Sequence, residues 1–176
     1  MPSRLSSLRW VLGLVTALAL LAGCATLDEK QRAWIFQPGD RSWGNGEAMA
    51  EGMDDVWVEF NSRVTGQPTR LHGLWLAAPR PGAPVLLYLH GARWNVTGSA
   101  FRIRRMQELG FSVLAIDYRG FGKSSKDLPS EAMAGEDARA AWDWLATRYP
   151  DRPRYIFGHS LGGAIAIDLA TRVNDE

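Results

Sequence analysis

Tyr155-Ile156-Phe157-Gly158-His159-Ser160-Leu161-Gly162-Gly163-Ala164-Ile165-Ala166-Ile167 is the stretch that decides the fold. Its first three residues are apolar and β-prone. From Leu161 onward it reads as a buried helix. Between them stands a G-x-S-x-G pentapeptide. Strand, sharp turn and helix in that order put a serine hydroxyl at the top of a parallel sheet, with the N–H of the next residue ready to hold an oxyanion. The flanking Gly158 and Gly162 let the chain turn without a Cβ clash, and Gly163 is expected to let the helix lie close on the strand.

Upstream, Val56–Phe60 and Leu71–Leu76 read as two strands joined by a hairpin loop over Val64–Pro68. Val85–Leu89 is an unbroken apolar run, as expected of a strand covered on both faces. A helix is predicted over Ala100–Leu109 with Gly110 as its cap, then a buried strand over Phe111–Asp117. Ala138, Ala141, Trp142, Leu145 and Tyr149 form one helical stripe that Pro150 stops. After the hairpin the order is strand, helix, strand, helix, strand, helix. That alternation predicts an α/β fold with a mostly parallel sheet and helices on both faces.

The N-terminus reads as a targeting signal. Arg4 and Arg9 form a positive start, and Trp10–Ala22 carries no charge. That run is shorter than the roughly 20 residues a membrane span needs. It ends in Leu21-Ala22-Gly23-Cys24, which resembles a bacterial lipobox, and Cys24 is the only cysteine. The resemblance implies a signal peptide over 1–23, acyl chains such as palmitate on Cys24, and a membrane-anchored lipoprotein on the periplasmic side of the envelope. Residues 24–54 are then a tether and lead-in segment, in which Trp34-Ile35-Phe36 is expected to plug onto the domain that begins at 55. Without residues 1–23 the 20 basic side chains fall to 18 against 19 acidic ones, a net −1. No basic patch points to nucleic acid. A lone cysteine excludes an internal disulfide and a cysteine-based zinc site, and the three histidines share no metal-ligand spacing on one element. No metal or cofactor is expected.

Leu89-His90-Gly91, Asp117-Tyr118-Arg119-Gly120-Phe121-Gly122-Lys123-Ser124 and Gly158-His159-Ser160-Leu161-Gly162 each follow a predicted strand. Together they resemble the α/β-hydrolase superfamily, within it the branch of Bem46-like and S33 aminopeptidase-type serine hydrolases. Trp34-Ile35-Phe36-Gln37-Pro38 is also similar to a segment of that branch, and the likeness covers about residues 31–173. The resemblance implies Ser160 as nucleophile, an oxyanion hole from the backbone N–H groups of Ala92 and Leu161, and strand order 1-2-4-3-5-6-7-8. It implies no cofactor and a small-molecule or acyl substrate. His90, Gly91, Gly158, His159 and Gly162 support the motif, with His90 ordering its loop and His159 pointing into the scaffold.

One departure is plain. The family places its acid and histidine after the nucleophile, and all three histidines here, His72, His90 and His159, precede Ser160. Asp168 lies about two turns into the last helix and is expected to point away from the sheet top. A serine hydroxyl without a base is a poor nucleophile at neutral pH. Residues 55–176 therefore read as the N-terminal part of a larger hydrolase domain, roughly 100 residues short of the usual size. The strand before Ser160 would then lie at an edge of the sheet.

Two function classes follow: a lipid-anchored serine hydrolase of ester, thioester or amide bonds, and a non-catalytic lipoprotein scaffold with a hydrolase fold. Phosphate- and dinucleotide-binding loops are excluded. Asp117 stands where the first loop needs glycine before Gly122-Lys123-Ser124, and Ser125 where the second needs its third glycine. Arg119 and Lys123 read as solvated loop residues, and His72 as partly exposed. Trp142 reads as core and Trp144 as lying on another face.

Overall fold

A computed structural model describes the backbone of residues 4–42 and 44–173 and side chains from residue 8 onward within those ranges. Residues 1–3, which fall in the expected signal peptide, Trp43 and Asn174-Asp175-Glu176 lie outside the described residues. The elements are α1 (Arg4–Phe36), α2 (Gly46–Met49), β1 (Asp54–Asn61), β2 (Pro68–Leu76), β3 (Val85–Leu89), a 3-10 turn (Val96–Ser99), α3 (Ala100–Glu108), β4 (Ser112–Ile116), α4 (Glu131–Arg148), β5 (Arg154–Gly158) and α5 (Leu161–Arg172).

The five strands form one sheet in the order β1-β2-β4-β3-β5. β1 and β2 pair antiparallel, β2 meets β4 antiparallel, and β3 runs parallel to both β4 and β5. This is the expected order, with β5 as the outer strand among the described residues. Alternation along β3 divides the core. Val85, Leu87 and Leu89 join Leu114, Ile116, Ala138, Ala141, Leu145, Ile165 and Leu169 on the face covered by α4 and α5. Leu86 and Tyr88 join Val113, Ala115 and Ile103 on the face covered by α3. Every side chain of β3 is buried, which accounts for its apolar run.

α4 begins where Ser130 Oγ accepts the Met133 N–H at 3.2 Å, with Glu131 in the first turn and Arg148 in the last, each suited to the helix dipole at its end. Tyr149 closes the helix and stacks on Trp75 at 4.8 Å. Trp142 is in the core as read, and Trp144 packs beside Trp75 and Tyr149. Gly110 follows α3 at φ +100°, a left-handed conformation that favours glycine.

The uncharged N-terminal run lies inside a longer helix, α1. The helix does not stop near Ala22. No proline interrupts it before Pro38, and it continues to Phe36. Leu8–Phe36, 29 residues, is long and apolar enough to cross a membrane. The expected apolar plug is only Phe36, which enters the main core, whereas Trp34 is 78 % exposed and Ile35 39 %. The end of α1 is fastened to the sheet top. The Phe36 carbonyl accepts the Arg93 N–H at 3.0 Å, and Arg32 donates to the carbonyls of Leu128 and Pro129.

Candidate active site

Ser160 stands between β5 and α5 at φ 55°, ψ −123°, a conformation that L-residues rarely adopt. The turn is built by what the glycines allow. A Cβ on Gly158 would overlap the Gly162 carbonyl and lie 2.6 Å from Gly163 N. A Cβ on Gly162 would lie 2.6 Å from the His90 carbonyl oxygen and closer still to that of Leu89. Gly162 is therefore where α5 touches the backbone of β3. Gly163 is not, since a Cβ there meets only Gly158 O at 3.7 Å, which corrects the close-packing role expected of it. Helix phase decides this: Gly162 faces the strand and its neighbour does not.

The loop after β3 lies directly on this turn. A Cβ on Gly91 would be 3.1 Å from Ser160 Cβ and 3.2 Å from the His159 carbonyl. The His159 N–H donates to Leu89 O at 3.0 Å, locking the two segments together. The N–H groups of Gly162 and Gly163 are used by the carbonyls of His159 and Ser160. Those of Ala92 and Leu161 are engaged by no other group among the described residues. Ser160 itself is exposed.

The histidines differ. His90 is 1 % exposed, held between Tyr118 and Phe121 at 4.7 and 5.0 Å, and its Nδ1–H donates to Gly91 O at 2.6 Å. It orders the loop as expected, and burial lowers its pKa against the pull of Asp117. His159 is half-buried against Gly91 rather than in the core, so its ring lies on the loop surface. Burial and nearby Arg102 lower its pKa. His72, read as partly exposed, is 1 % exposed and bonded to Asp55 and Asp117. The reason is β2's place between β1 and β4, which covers it on both sides.

Arg119, read as solvated, has the largest fully buried side chain. Its Nε donates to Asp137 at 2.8 Å and its terminal nitrogens to Ser62, Met133 O and Glu136. Burial pushes the Asp137 carboxyl up to about 7 against the pull of that guanidinium. Lys123 is exposed, as read, and pairs with Asp55. Asp168 turns toward α4 and pairs with Arg172 at 2.8 Å, away from Ser160 as expected. A cleft of about 1630 Å³ lies between α1, β1 and α4, and Ser160 does not line it. No cluster of metal-ligating side chains occurs among the described residues. Cys24 is exposed on α1.

Known proteins agree with this geometry. The serine aminopeptidase S33 family matches residues 81–176, just over half of the chain. Lysophosphatidylserine lipase ABHD12 of Bos taurus is 40 % identical over 127 residues, covering 70 % of this chain and 27 % of that protein. Protein ABHD12B of Homo sapiens is 38 % identical over 124 residues, covering 69 % and 29 %. The chain thus spans under a third of the length of these relatives. A carboxyl esterase from Bacillus coagulans superposes with TM-score 0.58 at 26 % identity, covering 70 % of this chain and 42 % of that one. An esterase of Pyrococcus furiosus shares the fold with TM-score 0.62 at 22 % identity, covering 78 % and 52 %. A serine in a left-handed strand–helix elbow, a sheet ordered 1-2-4-3-5 and a family match that takes in β3 through α5 lead to one conclusion: the chain has the α/β-hydrolase fold and belongs to the serine aminopeptidase S33 family of hydrolases.

Proposed function

We propose that Ser160 is the nucleophile of an acyl-transfer hydrolase. Its hydroxyl attacks an ester, thioester or amide carbonyl, the leaving group departs, and water hydrolyses the acyl-serine. The Ala92 and Leu161 N–H groups hold the oxyanion. Backbone donors suit this because they are fixed before charge develops and need not reorganise. The single observation that carries the reading is the Ser160 elbow, against which Gly91 packs so closely that a Cβ on it would lie 3.1 Å from Ser160 Cβ.

The relatives named lysophosphatidylserine lipase favour an acyl ester of a lysophospholipid as substrate. A membrane location suits it. Residues 1–23 serve as signal peptide, acylated Cys24 and the rest of residues 24–54 as tether, and residues 55–176 as part of the hydrolase domain. The base and its acid partner come from sequence following these residues, as the family order places them, and the 176 residues alone turn over slowly or not at all. Among the described residues no side chain bonds the Ser160 hydroxyl.

The test compares the purified 176-residue chain with one extended by the downstream reading frame, on p-nitrophenyl butyrate and on lysophosphatidylserine. The short chain is expected to be silent and the extended one active. Ser160→Ala should then remove activity by several orders of magnitude. Ser160-dependent turnover by the short chain would overturn the missing base. A silent extended chain that carries an acid and a histidine would favour the binding scaffold.

A further inference from the structure

We propose that His72 and Asp117 form a proton-linked support that positions the oxyanion loop, residues 90–96, from beneath. The proposal rests on the reading of Ala92 as an oxyanion donor, and it makes His72 and Asp117 positioning residues.

The Asp117 carboxylate is 1 % exposed and touches both ends of that loop. Its Oδ1 accepts the Val96 N–H at 2.6 Å and lies 3.5 Å from His90 Nε2. His90 in turn fixes the next peptide through Gly91 O. Asp117 packs directly on the Gly122 backbone, where a Cβ would overlap Oδ2 and lie 2.7 Å from Cγ. Only glycine at 122, at φ +47°, leaves that space.

His72 backs the carboxylate from the other side. Its Nδ1 faces Asp117 Oδ2 at 3.3 Å. The two residues are further joined by the Asp117 N–H to His72 O at 2.8 Å, and by Ser124, whose hydroxyl accepts the His72 N–H and donates to Asp117 O. The other ring nitrogen, Nε2, bonds Asp55, which is 55 % exposed and paired with Lys123 at 3.2 Å. A line of contacts thus runs from the surface to the loop: Lys123, Asp55, His72, Asp117, Val96.

The ring's protonation decides how that line holds. As imidazolium, His72 donates to both carboxylates. As neutral imidazole it has one N–H for two acceptors. Loss of the proton removes the ring's positive charge from both carboxylates and leaves at most one of them an N–H donor. The groups facing His72 are Asp55 from β1, Asp117 after β4, and Lys123 from the following loop, with the Trp57 ring at 5.1 Å. Burial opposes the charge, but the bonds to Asp117 and Asp55 outweigh it and raise the pKa above 6.5. The support is therefore complete below 6.5 and is lost as pH rises through the raised value.

The experiment uses the 15N-labelled 176-residue chain in detergent micelles and follows the His72 ring nitrogens and the Val96 and Ala92 amides by NMR from pH 5 to 9. The Val96 amide should titrate with the midpoint of His72, and Ala92 should move with it. Asp55→Asn, a change at an exposed side chain, should lower the His72 midpoint by about one pH unit. The Val96 midpoint should follow by the same amount. Asp117→Asn should uncouple Val96 from His72 altogether, with retained near-UV circular dichroism as the check on folding. A purely structural role would alter melting temperature without carrying the midpoint from ring to amide. A Val96 amide that ignores His72, or one that stays put when Asp55→Asn moves the ring, overturns the proposal. Coupling in this chain, with no Ser160-dependent turnover by the chain extended through the downstream reading frame, would leave the support standing and refute only the role of Ala92.

Discussion

Gly162→Ala puts the interpretation of the nucleophile turn at risk. The added methyl would lie 2.6 Å from His90 O and 2.7 Å from the Leu89 carbonyl carbon. Neither atom can yield, because both belong to or adjoin β3, which is bonded to β4 on one side and β5 on the other. The start of α5 must therefore move by roughly 1 Å to restore ordinary contact. Overpacking of this kind costs about 1–3 kcal/mol. Alanine returns up to about 1 kcal/mol of helix propensity. The net loss is then about 0–2 kcal/mol. Gly163→Ala is the internal control. Its methyl meets Gly158 O at 3.7 Å, an ordinary contact, so only the propensity gain remains. Two adjacent glycines should thus differ by the overpacking cost of about 1–3 kcal/mol, which at ~2–4 °C per kcal/mol for a chain of this size separates their melting points by several degrees. Circular dichroism melts of both variants in the same detergent measure it. Equal melting points, or a Gly163→Ala variant that melts lower, would refute the claim that α5 contacts β3 at Gly162.

Arg119→Met should destabilise by about 3–5 kcal/mol at pH 7, since it leaves the fully buried Asp137 carboxylate without its counter-charge. Asp137 already has a folded pKa near 7, above its ordinary 3.8, so protonation favours the fold. The deficit, read from urea midpoints, should shrink as pH falls from 7 toward 4 and grow as it rises. Cys24→Ser should abolish acyl labelling and leader removal in cells that process lipoproteins, and normal processing of the variant would refute the lipobox reading. At the outer strand, Tyr155 is 49 % exposed while Ile156 packs on the core. Tyr155→Lys should reduce self-association seen by light scattering, because a charged edge resists strand pairing, whereas Ile156→Lys should not. Unchanged scattering with Tyr155→Lys would mean association runs through another surface.

The parallel core was legible in the chain because each part of it is a local pattern. Val85–Leu89 announces burial on both faces, Pro150 marks the end of α4, and the glycines around Ser160 mark a turn. What escaped was pairing at long range. Arg119 sits in a loop of turn residues and looks solvated until Asp137 is seen on the buried face of α4. One signal was present: Asp137 falls on the same stripe as Ala134, Ala138, Ala141 and Leu145, and a carboxylate there demands a cation from elsewhere. His72 had no such signal, since its partner Asp117 lies 45 residues away across the sheet. Gly162 and Gly163 are alike in sequence, and only the phase of α5 separates them.

The backbone at Ser160 has a consequence for anyone who tries to improve this protein. A side chain at φ 55°, ψ −123° carries of order 1–3 kcal/mol of strain, and glycine would carry far less. A directed-evolution campaign that selects only for heat resistance should therefore converge on Ser160→Gly, relaxing the elbow and deleting the hydroxyl in one step. Screening for robustness and screening for chemistry pull this codon in opposite directions.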